Sequence, residues 1–214
     1  MRVIDILYRT SDTRINDPLN LPDNRVDEMI KGEVMVQRVV IAGLAVCALI
    51  FSACTHSVGG GFEARYRQGL EDYQAGRRTE AIKEYRKALQ VNPSSAEAHN
   101  DLGVVLYDVG ERAAAIEEYR RALQLKPDYA EAHNNLGVAL LDAGQLVFAV
   151  SEYRQAVQLK PEFAQAQYNL CLGLEVLGQL RDALTHCRAA AQLQPGLAGV
   201  EAAVQRLQSK LAAP

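Results

Sequence analysis

The chain has 214 residues, a formal net charge of −3, 49% hydrophobic residues and 23% charged ones. These values are ordinary for a soluble globular protein and suit one domain with extra segments. Lysines and arginines are interleaved with acids, which leaves no basic footprint for nucleic acid. The four cysteines, Cys47, Cys54, Cys171 and Cys187, match no zinc spacing.

Residues 1–34 are mixed in charge, turn-rich and without sustained periodicity. Two readings stay open for them. They can be a disordered extension. They can also be an untranslated leader read in frame, because Lys31-Gly32-Glu33 is encodable by a ribosome-binding sequence just ahead of Met35. Residues 35–53 have the layout of a secretory signal. Arg38 precedes an uncharged run from Val39 to Thr55, which ends in the small residues Ser52 and Ala53. At 17 residues the run lies at the lower limit for a bilayer span.

Phe51-Ser52-Ala53-Cys54 resembles the lipobox of bacterial lipoproteins. The resemblance implies that Cys54 becomes the mature N-terminus and carries acyl chains that hold the protein on a membrane. Thr55, rather than Asp, follows the cysteine, which implies the outer membrane with the folded part facing the periplasm. The alternative is an uncleaved single-pass inner-membrane anchor. Residues 54–61 include Gly59-Gly60-Gly61, a flexible tether.

From residue 62 the sequence repeats. Pro93, Pro127, Pro161 and Pro195 are each 34 residues apart. Gly76, Gly110, Gly144 and Gly178 keep that period, as do two alanine series beginning at Ala81 and Ala88. A period of this length marks a solenoid of helical hairpins. The repeats run 62–95, 96–129, 130–163 and 164–197. In the second, Leu102, Gly103 and Leu106 fall at helical spacing. Gly110 then breaks the helix, and Ala113 to Leu125 forms a second one that Pro127 stops.

The pattern resembles the tetratricopeptide repeat (TPR). His99, Leu102, Gly103 and Leu106 match repeat positions 4, 7, 8 and 11; Ala115, Tyr119 and Ala122 match positions 20, 24 and 27. The fold implied is an all-α, right-handed α-solenoid of about four hairpins over residues 62–195, with a capping helix in 196–214. Val200, Val204, Leu207 and Leu211 form that helix's apolar stripe. In the first repeat Arg65, Gln68 and Asp72 stand where the family is apolar, as expected of a terminal repeat that turns a polar face to water.

Cys171 and Cys187 replace the small residue of position 8 and the aromatic of position 24 within one repeat. In an antiparallel hairpin those positions face each other. The pair is either a disulfide, which export would permit, or two buried thiols. His99 and His133 occupy the packing position 4, which favours structure over metal ligation. Glu117 and Glu118, with Arg120 and Arg121, read as a solvated face. No catalytic constellation, metal site or cofactor motif stands out, so the chain is expected not to be an enzyme and to have no small-molecule substrate.

In this family the first helices line a concave groove. Carried onto this chain, the groove residues are Asn100, Asp101, Val104, Tyr107 and Asp108, then Asn134, Asn135, Val138 and Asp142, then Tyr168, Asn169 and Leu172. Asn135 and Asn169 resemble the asparagine ladder of O-linked N-acetylglucosamine transferases, where carboxamides bind a peptide backbone. The acids Glu97, Asp101, Asp108, Glu131, Asp142 and Glu175 suggest a basic or neutral segment as occupant. The expected role is a protein–protein interaction scaffold of the cell envelope, similar to TPR lipoproteins of pilus, secretion or cell-wall enzyme assembly. The alternatives are a non-catalytic accessory of an envelope enzyme or transferase, and a self-associating structural lipoprotein.

Overall fold

Four prolines that cannot donate a backbone hydrogen bond divide the chain into equal lengths, and each falls two residues past a helix end. The structure, a computed structural model, describes residues 61–212. Residues 1–60, on which the expected leader, signal segment, lipidated Cys54 and most of the expected tether fall, lie outside the described residues. Among those described there are nine helices and no strand. Helix α1 covers 61–74; α2 is Arg78–Val91, α3 Ala96–Asp108, α4 Arg112–Leu125 and α5 Ala130–Asp142. Then come α6 Leu146–Leu159, α7 Ala164–Val176, α8 Leu180–Leu193 and α9 Val200–Ala212. The described residues form an all-α solenoid: four antiparallel hairpins, α1/α2 to α7/α8, stacked in order and closed by α9.

Each hairpin turns on a glycine. After α3, Gly110 takes φ 85°, its N–H bonds to the Tyr107 carbonyl at 3.0 Å, and the Glu111 N–H bonds to the Leu106 carbonyl at 2.9 Å. This pair of bonds is a Schellman cap, and it needs a left-handed residue where it sits. Gly144 repeats the arrangement at φ 75°.

The alanine series are the crossing points of the helices. Ala81, Ala115, Ala149 and Ala183 are fully buried, as are Ala88, Ala122, Ala156 and Ala190. Position 8 brings the two helices of a hairpin closest. A Cβ on Gly69, Gly103 or Gly137 would stand 2.8, 2.6 or 2.5 Å from ring carbons of Tyr85, Tyr119 or Tyr153. The ring lies where a side chain on the facing helix would otherwise be. In the fourth hairpin a disulfide joins Cys171 to Cys187 at those same two positions, with Cα atoms 5.3 Å apart.

The ends differ in two respects from expectation. Asp72 is buried rather than turned to water, because Arg77 donates to it at 2.6 Å and Gln68 at 3.3 Å, supplying partners inside the first turn. On α9 the buried residues are Val200, Ala203 and Leu207, while Leu211 is 38% exposed. Leu211 overhangs the α7–α8 turn beside Gly178 and Leu180, beyond the hairpin face that α9 covers.

Gly137→Ala is expected to cost about 1–3 kcal/mol, because the Tyr153 ring and the Ala149 carbonyl, 3.2 Å from the added methyl, leave it no room; chemical denaturation measures this. Cys187→Ser should remove roughly 3 kcal/mol, as expected for opening a loop of sequence separation 16. Peptide mass mapping of the unreduced protein should find both sulfurs blocked to alkylation.

Candidate functional site

The odd-numbered helices touch in series, α3 with α5, α5 with α7 and α7 with α9. Among the described residues the even-numbered helices show no such succession, so the odd-numbered helices form the inner face of the curve. Side chains there bond across repeats at a constant separation of 35 residues, one more than the repeat. Tyr66 donates to Asp101 at 2.6 Å, Asn135 to Asn100 at 3.0 Å and Asn169 to Asn134 at 2.8 Å. These bonds join position 5 of one repeat to position 6 of the next. A second row joins position 12 to position 13: Tyr73 donates to Asp108 at 2.9 Å and Tyr107 to Asp142 at 2.6 Å. Lys210 of α9 continues that row by donating to Glu175 at 2.8 Å, with Arg206 beside it at 2.7 Å.

The rows revise part of the residue set taken from sequence. Asn100 and Asn134 are each 5% exposed and lie beneath the next repeat, so their carboxamides are not offered to a ligand. Asn135 and Asn169 are half-buried, and each has one amide N–H committed to the buried partner. Val104, Val138 and Leu172 form a half-exposed apolar row at position 9 of the same face. Tyr168 stands at the α9 end, its hydroxyl 2.5 Å from where a Cβ on Gly199 would be.

The groove is less acidic than its composition implied, because most of its carboxylates are already paired. Glu97 meets Lys126 at 3.2 Å, Asp108 Arg78 at 3.7 Å, Glu131 Lys160 at 2.8 Å and Asp142 Arg112 at 3.3 Å. Hydrogen bonds from Arg206 and Lys210 pull the Glu175 carboxyl down to about 2. The bond to Asp142 pushes the Tyr107 hydroxyl up to about 12. Among the described residues Asp101 has Tyr66 and Asn100 as partners and no cation, and burial raises its carboxyl above the ordinary value. The preference for a basic occupant therefore rests on one carboxylate, not six.

Sequence reasoning missed a clasp inside every hairpin, between positions 4 and 23. Arg65 meets Glu84 at 3.1 Å, His99 meets Glu118 at 2.6 Å, His133 meets Glu152 at 2.6 Å and His186 meets Gln167 at 2.7 Å. The constant separation of 19 was the available signal. Glu118 is thus not simply solvated: its side chain is 14% exposed and turned toward His99, while Glu117 remains 62% exposed. The second nitrogen of His133 lies 3.0 Å from the Pro127 carbonyl oxygen. Both ring nitrogens of His133 then face acceptors, which only the doubly protonated ring satisfies. No group of three or more His, Cys, Asp and Glu suited to a metal occurs among the described residues.

Residues 69–110 and 105–144 match the family profile described as TPR repeat. Residues 69–144 thus carry tetratricopeptide repeats. Among solved structures it is similar to PilF of Pseudomonas aeruginosa, at 29% identity and TM-score 0.66, covering 72% of this chain and 71% of that one. MamA shares 24% identity at TM-score 0.64, with 71% and 82% covered. YrrB, described as a TPR protein with an unusual peptide-binding site, shares 21% at TM-score 0.60, with 69% and 76% covered. No curated protein matches the sequence.

Burial opposes the charge on His133, but the bonds to Glu152 and to the Pro127 carbonyl outweigh it and raise the group above its ordinary 6.5. A raised folded value stabilises fully below the unfolded one and is lost as pH rises through the folded one. His133→Gln should therefore lower the melting temperature more at pH 6 than at pH 8. His186 moves the other way, because burial lowers it. Differential scanning calorimetry of both proteins across that range checks the difference.

Proposed function

We propose that this chain is an envelope-anchored interaction scaffold that holds an extended peptide segment of a partner protein along its inner face. The observation that carries the reading is the form of that face. Val104, Val138 and Leu172 run as an apolar centre between polar rows, repeated from one hairpin to the next. An apolar centre with amide edges contacts a peptide's side chains and still leaves groups to meet its backbone. Repeat arrays present such extended concave surfaces as their working parts. Asn135 and Asn169 are the carboxamides best placed for the backbone, each keeping a second amide N–H beyond its bond to the neighbouring repeat. The role is binding, not catalysis.

Anchoring is part of the same proposal. It rests on the signal-like segment 35–53, on the lipobox-like residues ending at Cys54, and on Thr55 for the outer membrane. The Cys171–Cys187 bridge supports export, since such bonds persist in oxidising compartments.

A photo-crosslinking residue placed at Val104 or Val138 in the cell should form an adduct with a second protein. The same residue at the exposed, outward Gln124 should not. Adducts confined to Gln124 would overturn the groove assignment. Mass analysis of the N-terminal peptide should show Cys54 with acyl chains; an unmodified sulfur there removes the anchor.

A further inference from the structure

Two matching polar triads stand along one edge of the groove. Asp108 takes a bond from Tyr73 at 2.9 Å, with Arg78 at 3.7 Å. Asp142 takes one from Tyr107 at 2.6 Å, with Arg112 at 3.3 Å. The members are positions 12 and 17 of one repeat and 13 of the next. Where the third repeat meets the fourth, all three change together, to Leu141, Leu146 and Val176. Two neighbouring positions are apolar as well. Val147 and Leu177 correspond to Thr79 and Val109, which line one cavity between the first two repeats. Leu141, Val147, Val176 and Leu177 are 38, 68, 70 and 36% exposed.

The fold does not require these side chains. The same backbone carries a charged triad at the two preceding joints, and exposed apolar groups of this size gain nothing from water. The groove side of the patch, Leu141 and Val176, is also continuous with the groove floor. Leu141 follows Val138 by three residues on α5, and Val176 follows Leu172 by four on α7, so each pair shares a helix face. The two earlier joints interrupt this run with Tyr–Asp–Arg.

Its size limits what can cover it. Taking a fully exposed aliphatic side chain at roughly 150 Å², the four offer on the order of 300 Å². A stable interface buries about 800 Å² on each partner. A second copy of the chain would be held too weakly by this patch alone. One or two large side chains of a short segment match it. We propose that this edge receives large aliphatic or aromatic side chains of the peptide segment in the groove, and so sets its register. The proposal rests on the groove reading above.

The test installs the triad that the fold already tolerates. The probe is a set of twelve-residue random peptides displayed on phage and selected on the full chain. A selected peptide is then titrated against the full chain, against Leu141→Tyr/Leu146→Arg/Val176→Asp, and against Asn135→Ala/Asn169→Ala. The expected result is selected peptides sharing a large apolar residue. The triple variant should bind at least tenfold more weakly while melting no lower than the parent. If the triple variant binds as well as the parent and the asparagine variant does not, the edge assignment falls and the groove reading stands. If the triple variant weakens and the asparagine variant does not, the edge stands and the carboxamide role falls. Selection of no peptide removes both. A parent that dimerises in sedimentation while the triple variant stays monomeric makes a second copy the occupant and overturns the proposal.

Discussion

The closest approach of the two helices in each hairpin governs the rest of the structure. Gly69, Gly103 and Gly137 leave room for a tyrosine ring to lie against bare backbone, and the ring sets the spacing of the pair. Everything at the groove depends on that spacing, because repeated hairpins of one shape stack with one offset. The fourth hairpin meets the same constraint by different chemistry, with Cys171 and Cys187 covalently joined where glycine and ring would sit. Both residues had to change together, since a lone Cys opposite a tyrosine would clash and a lone Cys opposite glycine would leave a void.

The offset has a chemical signature. Each polar bond between neighbouring first helices spans 35 residues, linking a position to the following position one repeat on. The inner face is therefore partly occupied with holding the array together. Its acids other than Asp101 are balanced by Lys126, Lys160, Arg78, Arg112 and the α9 cations. Recognition on such a face draws on shape and apolar contact more than on net charge.

The repeat period made the helices, the turns, the buried alanines and the paired cysteines readable from the sequence, because each is a comparison of equivalent positions. What escaped depends on the stacking geometry. Asn100 and Asn134 read as groove residues, yet position 5 lies beneath the next hairpin, and no single repeat shows that. Glu118 looked solvated because Arg121 follows at helical spacing, and that pair does form at 3.2 Å. Its second partner, His99, is on the other helix. Arg78 and Arg112 were overlooked because their carboxylate belongs to the following repeat. The loss of that triad at Leu141, Leu146 and Val176 was legible only once the triad had been seen.

The sulfur bridge lies within one hairpin, not between hairpins. It ties α7 to α8 across the short turn holding Gly178 and leaves the joints between repeats to non-covalent packing. Each joint among the described repeats is therefore crossed by the backbone alone, with no disulfide across it. A protease that nicks the exposed α7–α8 turn would leave the two fragments attached, so the clipped protein would separate only after reduction.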